Sequence, residues 1–322
     1  MRSKSQRKIV LSRALLIAAA MMLSSVGASA QTASTSTDNS TTTNPAPATY
    51  DPSSAIEVNV GDGPSGVASD GTSIWITNQF SGNVMKVAAN GAVLGRFAVG
   101  KNPTGVASDG TSVWVTNNAD DTVTKLSLEG AVLGTYPVGR GPQAVLITGQ
   151  YVWVANEKGN TVTKLSSAGA TLGTYPVGKR PVALASDGEN IWVANNKGNT
   201  VTKLSATGAT LGTYPVGDGP FGLAFDGKSI WVTNFFSSNV MKLNPSTGAV
   251  VTRANVGDGA SGIAFDGSNL LVVNNGSNSV SVLGGDGSVF TTLKVGISPY
   301  HVAVTPNGIW VTNSGSDSIS RR

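Results

Sequence analysis

IWITN (74–78), VWVTN (113–117), VWVAN (152–156), IWVAN (191–195), IWVTN (230–234), LLVVN (270–274) and IWVTN (309–313) are seven copies of one box. Successive copies are offset by 39, 39, 39, 39, 40 and 39 residues. All six tryptophans of the chain occupy one position of the box, and Leu271 takes the seventh. Asparagine closes every copy. A fixed period of this length is the signature of a repeat fold, in which each unit buries its apolar face only against its neighbours.

Working outward from one box gives the unit. Around Trp192, PVALAS (181–186) alternates as a first strand and is followed by the turn Asp187-Gly188. IWVAN is the second strand, TVTKLS (200–205) the third and ATLGTYPVG (209–217) the fourth, with Gly208 marking the turn before it. Val, Thr, Ile and aromatic residues bounded by Gly, Asp and Asn are strand and hairpin signals. Four short strands repeated seven times predict an all-β, seven-bladed β-propeller over residues 55–322. The last unit ends after a short third strand, SISRR (318–322), while AIEVNVG (55–61) precedes the first unit and resembles a fourth strand. One missing and one spare strand predict closure: the N-terminal strand completes the last blade and leaves no open end.

The flanking sequence is of another kind. Arg2, Lys4, Arg7, Lys8 and Arg13 precede an apolar run from Ala14 to Leu23 and the small residues Ala28-Ser29-Ala30. Basic, apolar and small in that order read as a secretory signal over residues 1–30. Residues 31–54, rich in Ser, Thr, Ala and Pro, read as a disordered tether. The expected location is therefore secreted or periplasmic, in the cell envelope, with no membrane insertion after cleavage. The whole chain carries 22 Lys+Arg against 18 Asp+Glu; without the five basic residues of the leader the balance is 17 against 18. That near-neutral balance lacks the basic footprint of a nucleic-acid binder. With no cysteine in the chain, disulfides, thiol catalysis and cysteine metal sites are ruled out.

The W-V-T-N box followed by N-x-V-x-K-L resembles the YVTN family of bacterial propellers and the related NHL repeats. The blade pattern G-P-x-G-[VL]-A-x-D-G-x-x-[IV]-W-V-T-N also looks like virginiamycin B lyase-like propellers, which inactivate streptogramins. The resemblance covers residues 55–322. It implies the propeller fold and, for the lyases, a histidine base with magnesium held by glutamates. Their box commonly ends in Glu, where this chain has Asn78, Asn117, Asn156, Asn195, Asn234, Asn274 and Asn313. A neutral amide is a weaker magnesium ligand than a carboxylate.

Candidate functional residues follow from where the repeats differ, since shared positions are scaffold. His301, the single histidine, stands where blades one, two, five and six carry Gly66, Gly105, Gly222 and Gly262. That position opens the innermost strand beside the central channel, and an imidazole there is a candidate base or a space-filling polar group. The seven asparagines are read as caps that bond backbone groups of the following loop. The loops entering each blade and those between second and third strands are expected to share one face. Lys101, Arg140, Lys158, Lys179, Arg180 and Lys197 place positive charge there over blades two to four; Asp62, Asp218 and Asp258 make blades one, five and six acidic. Phe80, Phe221, Phe235, Phe236 and Tyr300 are expected as exposed loop aromatics. Aromatics beside charges suit a protein or glycan ligand. The sequence thus predicts a monomeric binding propeller without metal or cofactor, with a magnesium-dependent lyase or a lactonase using His301 as the alternative.

Overall fold

The computed structural model describes residues 55–322. The leader and tether expected from the sequence lie outside them. The described residues form seven four-stranded antiparallel sheets arranged as blades. Blade four is typical, with strands Pro181–Ser186, Ile191–Asn195, Thr200–Leu204 and Thr210–Pro215. The second strands are buried along their whole length in nearly every blade, because both faces of a blade pack against neighbours. The outer strands are nowhere fully buried and only half-bury alternate residues over their second half, as an edge exposed to solvent should.

The core is a series of clusters between blades. Trp192 of blade four, for example, packs with Leu223, Ile230 and Val232 of blade five. The seventh blade has the predicted construction. Ile56–Asn59 pairs antiparallel with Ser318–Arg321, in the register Ile56 to Arg321 and Asn59 to Ser318. No helix among the described residues is long and apolar enough to cross a membrane.

The asparagines differ from expectation. All seven are fully buried. Their amide groups chiefly donate to third-strand side chains rather than to the loop backbone: Asn195 reaches Thr200 at 3.1 Å and Thr202 at 2.9 Å, and Asn274 reaches Ser279 and Ser281. Backbone capping is limited to Asn117 and Asn313, which accept from the amides of Gly100 and Gly296. The glycine before each entering loop has no room for a side chain: a Cβ on Gly178 would lie 2.5 Å from Asn195.

Candidate functional site

The loop face is built from one contact repeated seven times. Two residues after each box asparagine, a backbone amide donates to the carbonyl of the loop entering the same blade. The pairs are Phe80 with Asp62, Ala119 with Lys101, Lys158 with Arg140, Lys197 with Lys179, Phe236 with Asp218, Gly276 with Asp258 and Gly315 with Ile297. Entering loops and second loops therefore do share one face. The backbone is constant and the side chains are not: acid with aromatic in blades one and five, base in blades two to four, acid alone in blade six, apolar in blade seven. These rim pairs escape a residue-by-residue reading because their members are about 18 positions apart; aligning the two loop columns of the repeat would have exposed them.

The six basic residues are exposed, and a chain of contacts joins the loops of blades two, three and four that carry them. Lys158 Nζ donates to Asn118 Oδ1 of blade two at 3.1 Å. Asn160 Oδ1 of blade three accepts from the Arg180 amide of blade four at 2.9 Å. Arg180 is ion-paired with Glu157. Asp120 and Asp121 accept from the backbone amides of Lys101 and Gly141. Lys101, Arg140, Lys179 and Lys197 form no ion pair among the described residues.

The aromatics divide into two groups. Phe80 and Phe236 are loop residues, 76% and 73% exposed. Phe221 and Tyr300 are not exposed loop residues, contrary to the expectation. They lie on the innermost strands Pro220–Phe225 and Pro299–Thr305 and are half-buried, because those strands begin at the proline one residue earlier. Phe235 is half-buried as well. The rings run as a file: Phe236 to Phe235 at 5.3 Å, Phe235 to Phe221 at 6.1 Å, Phe221 to Tyr300 at 5.0 Å and Tyr300 to His301 at 4.9 Å between centroids. Phe221 of blade five meets Tyr300 of blade seven across blade six, whose strand starts with the small residues Ala260-Ser261-Gly262. Burial, and less so the Glu157 carboxylate, push the Tyr300 phenol up to about 12 against the pull of Arg180. It stays protonated and able to donate.

The file ends at the channel. Residues of all seven innermost strands line a cavity of about 140 Å3, and its lining side chains are apolar except for Gln143 and His301. Gln143 does not stand out in the sequence; its Oε1 accepts from Asn118 at 3.4 Å. His301 fits because the neighbouring blade offers Gly262 beneath it, where a Cβ would come within 2.8 Å of the His301 backbone. Its Nδ1 lies 3.2 Å from the Ser65 carbonyl. A carbonyl only accepts, so Nδ1 carries the proton and the Nε2 lone pair is left for the channel. Burial pulls the imidazole down to about 4, partly offset by the Ser65 hydrogen bond, so the ring is neutral at physiological pH.

A base of that kind needs a partner, and the magnesium ligands implied by the resemblance are not assembled around it. Its ring neighbours are Tyr300 and Phe221. The seven asparagines at the glutamate positions are buried and engaged with third-strand groups. Among the described residues no three of His, Cys, Asp or Glu stand close enough to hold a metal ion. The residues present do not fit magnesium.

The fold has many solved counterparts. A streptogramin B lyase superposes with a TM-score of 0.74 at 18% identity, over 83% of this chain and 96% of that one. A catalytically inactive histidine-to-alanine variant of Staphylococcus aureus virginiamycin B lyase, solved with quinupristin, gives 0.73 at 18%, over 83% and 98%. Hydrazine synthase of Kuenenia stuttgartiensis gives 0.72 at 19%, over 80% and 94%. The shared feature is the propeller. At that identity the likeness establishes architecture and not chemistry. No protein-family profile and no curated protein matches the chain by sequence.

Proposed function

We propose that the protein is an exported binding propeller that takes a protein or glycan ligand on its loop face. One observation carries this: seven rim pairs share one backbone arrangement while their side chains range over acid, base and aromatic. A frame held constant with its tips varied is how a scaffold presents a recognition surface. The leader sequence supports export.

The test is a binding panel of acidic, basic and aromatic peptides and of charged and neutral glycans, read by surface plasmon resonance. Two variants are compared with the parent. Arg140→Glu/Lys179→Glu/Arg180→Glu reverses the basic arc; Thr111→Glu/Lys228→Glu alters exposed turns between first and second strands. Ligands that the parent retains should include some that weaken at least about tenfold on the first variant, with none changed on the second. Because these loops do not build the core, and an exposed contact such as the Arg180–Glu157 pair contributes at most about 1 kcal/mol, both variants should melt within a few degrees of the parent. Ligands held equally by parent and arc variant throughout would remove the loop face from consideration.

A lyase or lactonase is the second reading, favoured by the free Nε2 of His301 at the channel and by the lyase neighbours. Its test is incubation with a cyclic depsipeptide and with a lactone, followed by chromatography and mass spectrometry. Elimination opens the ring at unchanged mass, whereas hydrolysis adds one water. Turnover that His301→Ala abolishes would replace the binding proposal.

A further inference from the structure

Two blades that are not neighbours carry the same loop chemistry. Gly61-Asp62-Gly63-Pro64 with Asn78-Gln79-Phe80-Ser81 in blade one matches Gly217-Asp218-Gly219-Pro220 with Asn234-Phe235-Phe236-Ser237 in blade five. The match extends to geometry. The Phe80 and Phe236 amides each donate to the paired aspartate carbonyl at 3.1 Å, and the aspartate amides donate to Ser81 and Ser237 hydroxyls at 2.7 and 2.8 Å. Each phenyl ring rests on a left-handed glycine, Gly63 or Gly219, with no room for a Cβ between them. One side of the ring is thereby held by the protein and the other is given to solvent. These are the two most exposed large apolar side chains among the described residues. Neither Asp62 nor Asp218 has an ion-pair partner there; Asp218 accepts one neutral hydrogen bond, from Asn199 at 2.9 Å.

We propose that the Asp62–Phe80 and Asp218–Phe236 pairs are two subsites for organic cations, and that their partner is a protein segment presenting lysine or arginine side chains. The proposal rests on the loop face being the ligand surface, and it names the chemistry of one half of it. A phenyl face carries the negative part of its quadrupole and attracts a cation set over it. A carboxylate on the adjoining loop adds charge attraction of the same sign. Both features reject anions. The same rim positions in blades two to four carry Lys101, Arg140, Lys158, Lys179 and Lys197, so a cationic group is repelled from that sector. Asp258 of blade six extends the acidic sector, and Phe235 packs 3.3 Å from where a Cβ on the adjoining Gly259 would stand. A single exposed cation–π contact is weak, so one small amine would be held poorly. Two subsites on one rim favour a chain with two cations, since the second contact is then intramolecular.

The experiment is fluorescence anisotropy with a labelled peptide of alternating lysine and glycine, and one of alternating glutamate and glycine as control. Phe80→Leu/Phe236→Leu keeps apolar bulk and removes the aromatic face. It should weaken the lysine peptide about five- to thirtyfold, the product of two exposed cation–π contacts. Phe80→Trp/Phe236→Trp should bind as well as the parent or better. Asp62→Asn/Asp218→Asn should also weaken binding and flatten its salt dependence. Unchanged melting temperatures exclude misfolding as the cause. If the leucine variant holds the lysine peptide like the parent, the cation subsites are wrong. They are equally wrong if the parent takes only the glutamate peptide, although a loss of that binding on reversal of the basic arc would keep the loop-face reading. If sedimentation shows parent self-association that the leucine variant abolishes, the rings are a self-contact and the proposal fails. If neither peptide responds to any loop-face variant, the proposal fails together with the reading it rests on.

Discussion

Leu271 replaces tryptophan in blade six, and its cross-strand neighbour changes with it. Trp75, Trp114, Trp153, Trp192 and Trp231 face Lys86, Lys125, Lys164, Lys203 and Lys242, and Trp310 faces Arg321. Leu271 faces Val282. The five ammonium groups lie 5.0 to 5.4 Å from their indoles. Each also donates to a backbone carbonyl of the next blade, as Lys203 does to Pro245 at 2.8 Å. The lysine column is thus a set of staples between blades, and the cation disappears where its indole does. Lys203→Met keeps the stem and removes both interactions; a loss of about 1–2 kcal/mol should lower the melting temperature by several degrees in calorimetry. An unchanged midpoint would show the staple to be idle. His301 supports a second prediction. Its folded-state value near 4 lies below the unfolded value near 6.5, so between them the unfolded chain binds more protons and stability rises with pH. The contribution is fully present above about pH 6.5 and is lost as pH falls toward 4. Denaturant titrations across that window should show the slope, and His301→Gln should remove it. The position of His301 was legible as a departure from a glycine column. Its partner was not, because Ser65 is 236 residues away and meets it only through ring closure.

At the scale of elements, strands were legible from alternation and turns, whereas loop contacts were not. Outside blade six, where Ala260 takes the place, the innermost strands begin at a proline, and in all seven blades their pairing with the second strand shifts register just after that first residue. Phe221 and Tyr300 sit in that shift, and for that reason two strand residues carry the sequence signals of a loop. The second loops hold a further regularity. Asp121, Asn160, Asn199, Ser238, Asn278 and Asp317 all have positive φ. Their side chains accept from the backbone of the next blade's entering loop, at Gly141, Arg180, Gly219, Gly259, Ser298 and Gly63. Blade one has Gly82 at this position, with φ 64 and open space around a Cβ. It is the one blade whose second loop lacks this contact with its neighbour. Asparagine tolerates left-handed backbone, has less unfolded-state freedom than glycine and would reach toward Asn102 of blade two. Gly82→Asn should stabilise by about 1 kcal/mol, a rise of about 2–4 °C for a domain of this order of size. Scanning calorimetry would read it; a fall in midpoint would mean that the loop geometry at Gly82 differs from its six counterparts.

On the scale of the molecule, closure is where sequence and structure agree most closely, because a count of strands decides it. The joint is reinforced well beyond four residues of pairing. Val60 donates its amide to the Asp317 carbonyl at 2.9 Å. Glu57 accepts from Ser320 and pairs with Arg322, both at 2.6 Å. Thr312 and His301 of blade seven both reach the Ser65 carbonyl of blade one. Val58 and Val60 pack against a cluster that includes Trp310, Ile319, Ile74 and Ile76, so the strand joins apolar groups of the last blade and the first. Removing it would uncover one face of Ile319 and Trp310, both fully buried, and leave the last blade with three strands. The half-buried valines alone represent about 1.5 kcal/mol of lost burial, before the ladder hydrogen bonds and the ion pair are counted. A protein beginning at Asp62 should therefore melt at least about 3–6 °C below one beginning at Ala55. The loss should be global, because blades one and seven share the joint. Hydrogen exchange should show faster opening in Ser318–Arg321 and in the first blade, with the middle blades following in the same transition. Equal melting of the two proteins would mean that the ring holds without its closing strand. Exchange confined to the last blade would mean that the joint ties down one blade and not the circle.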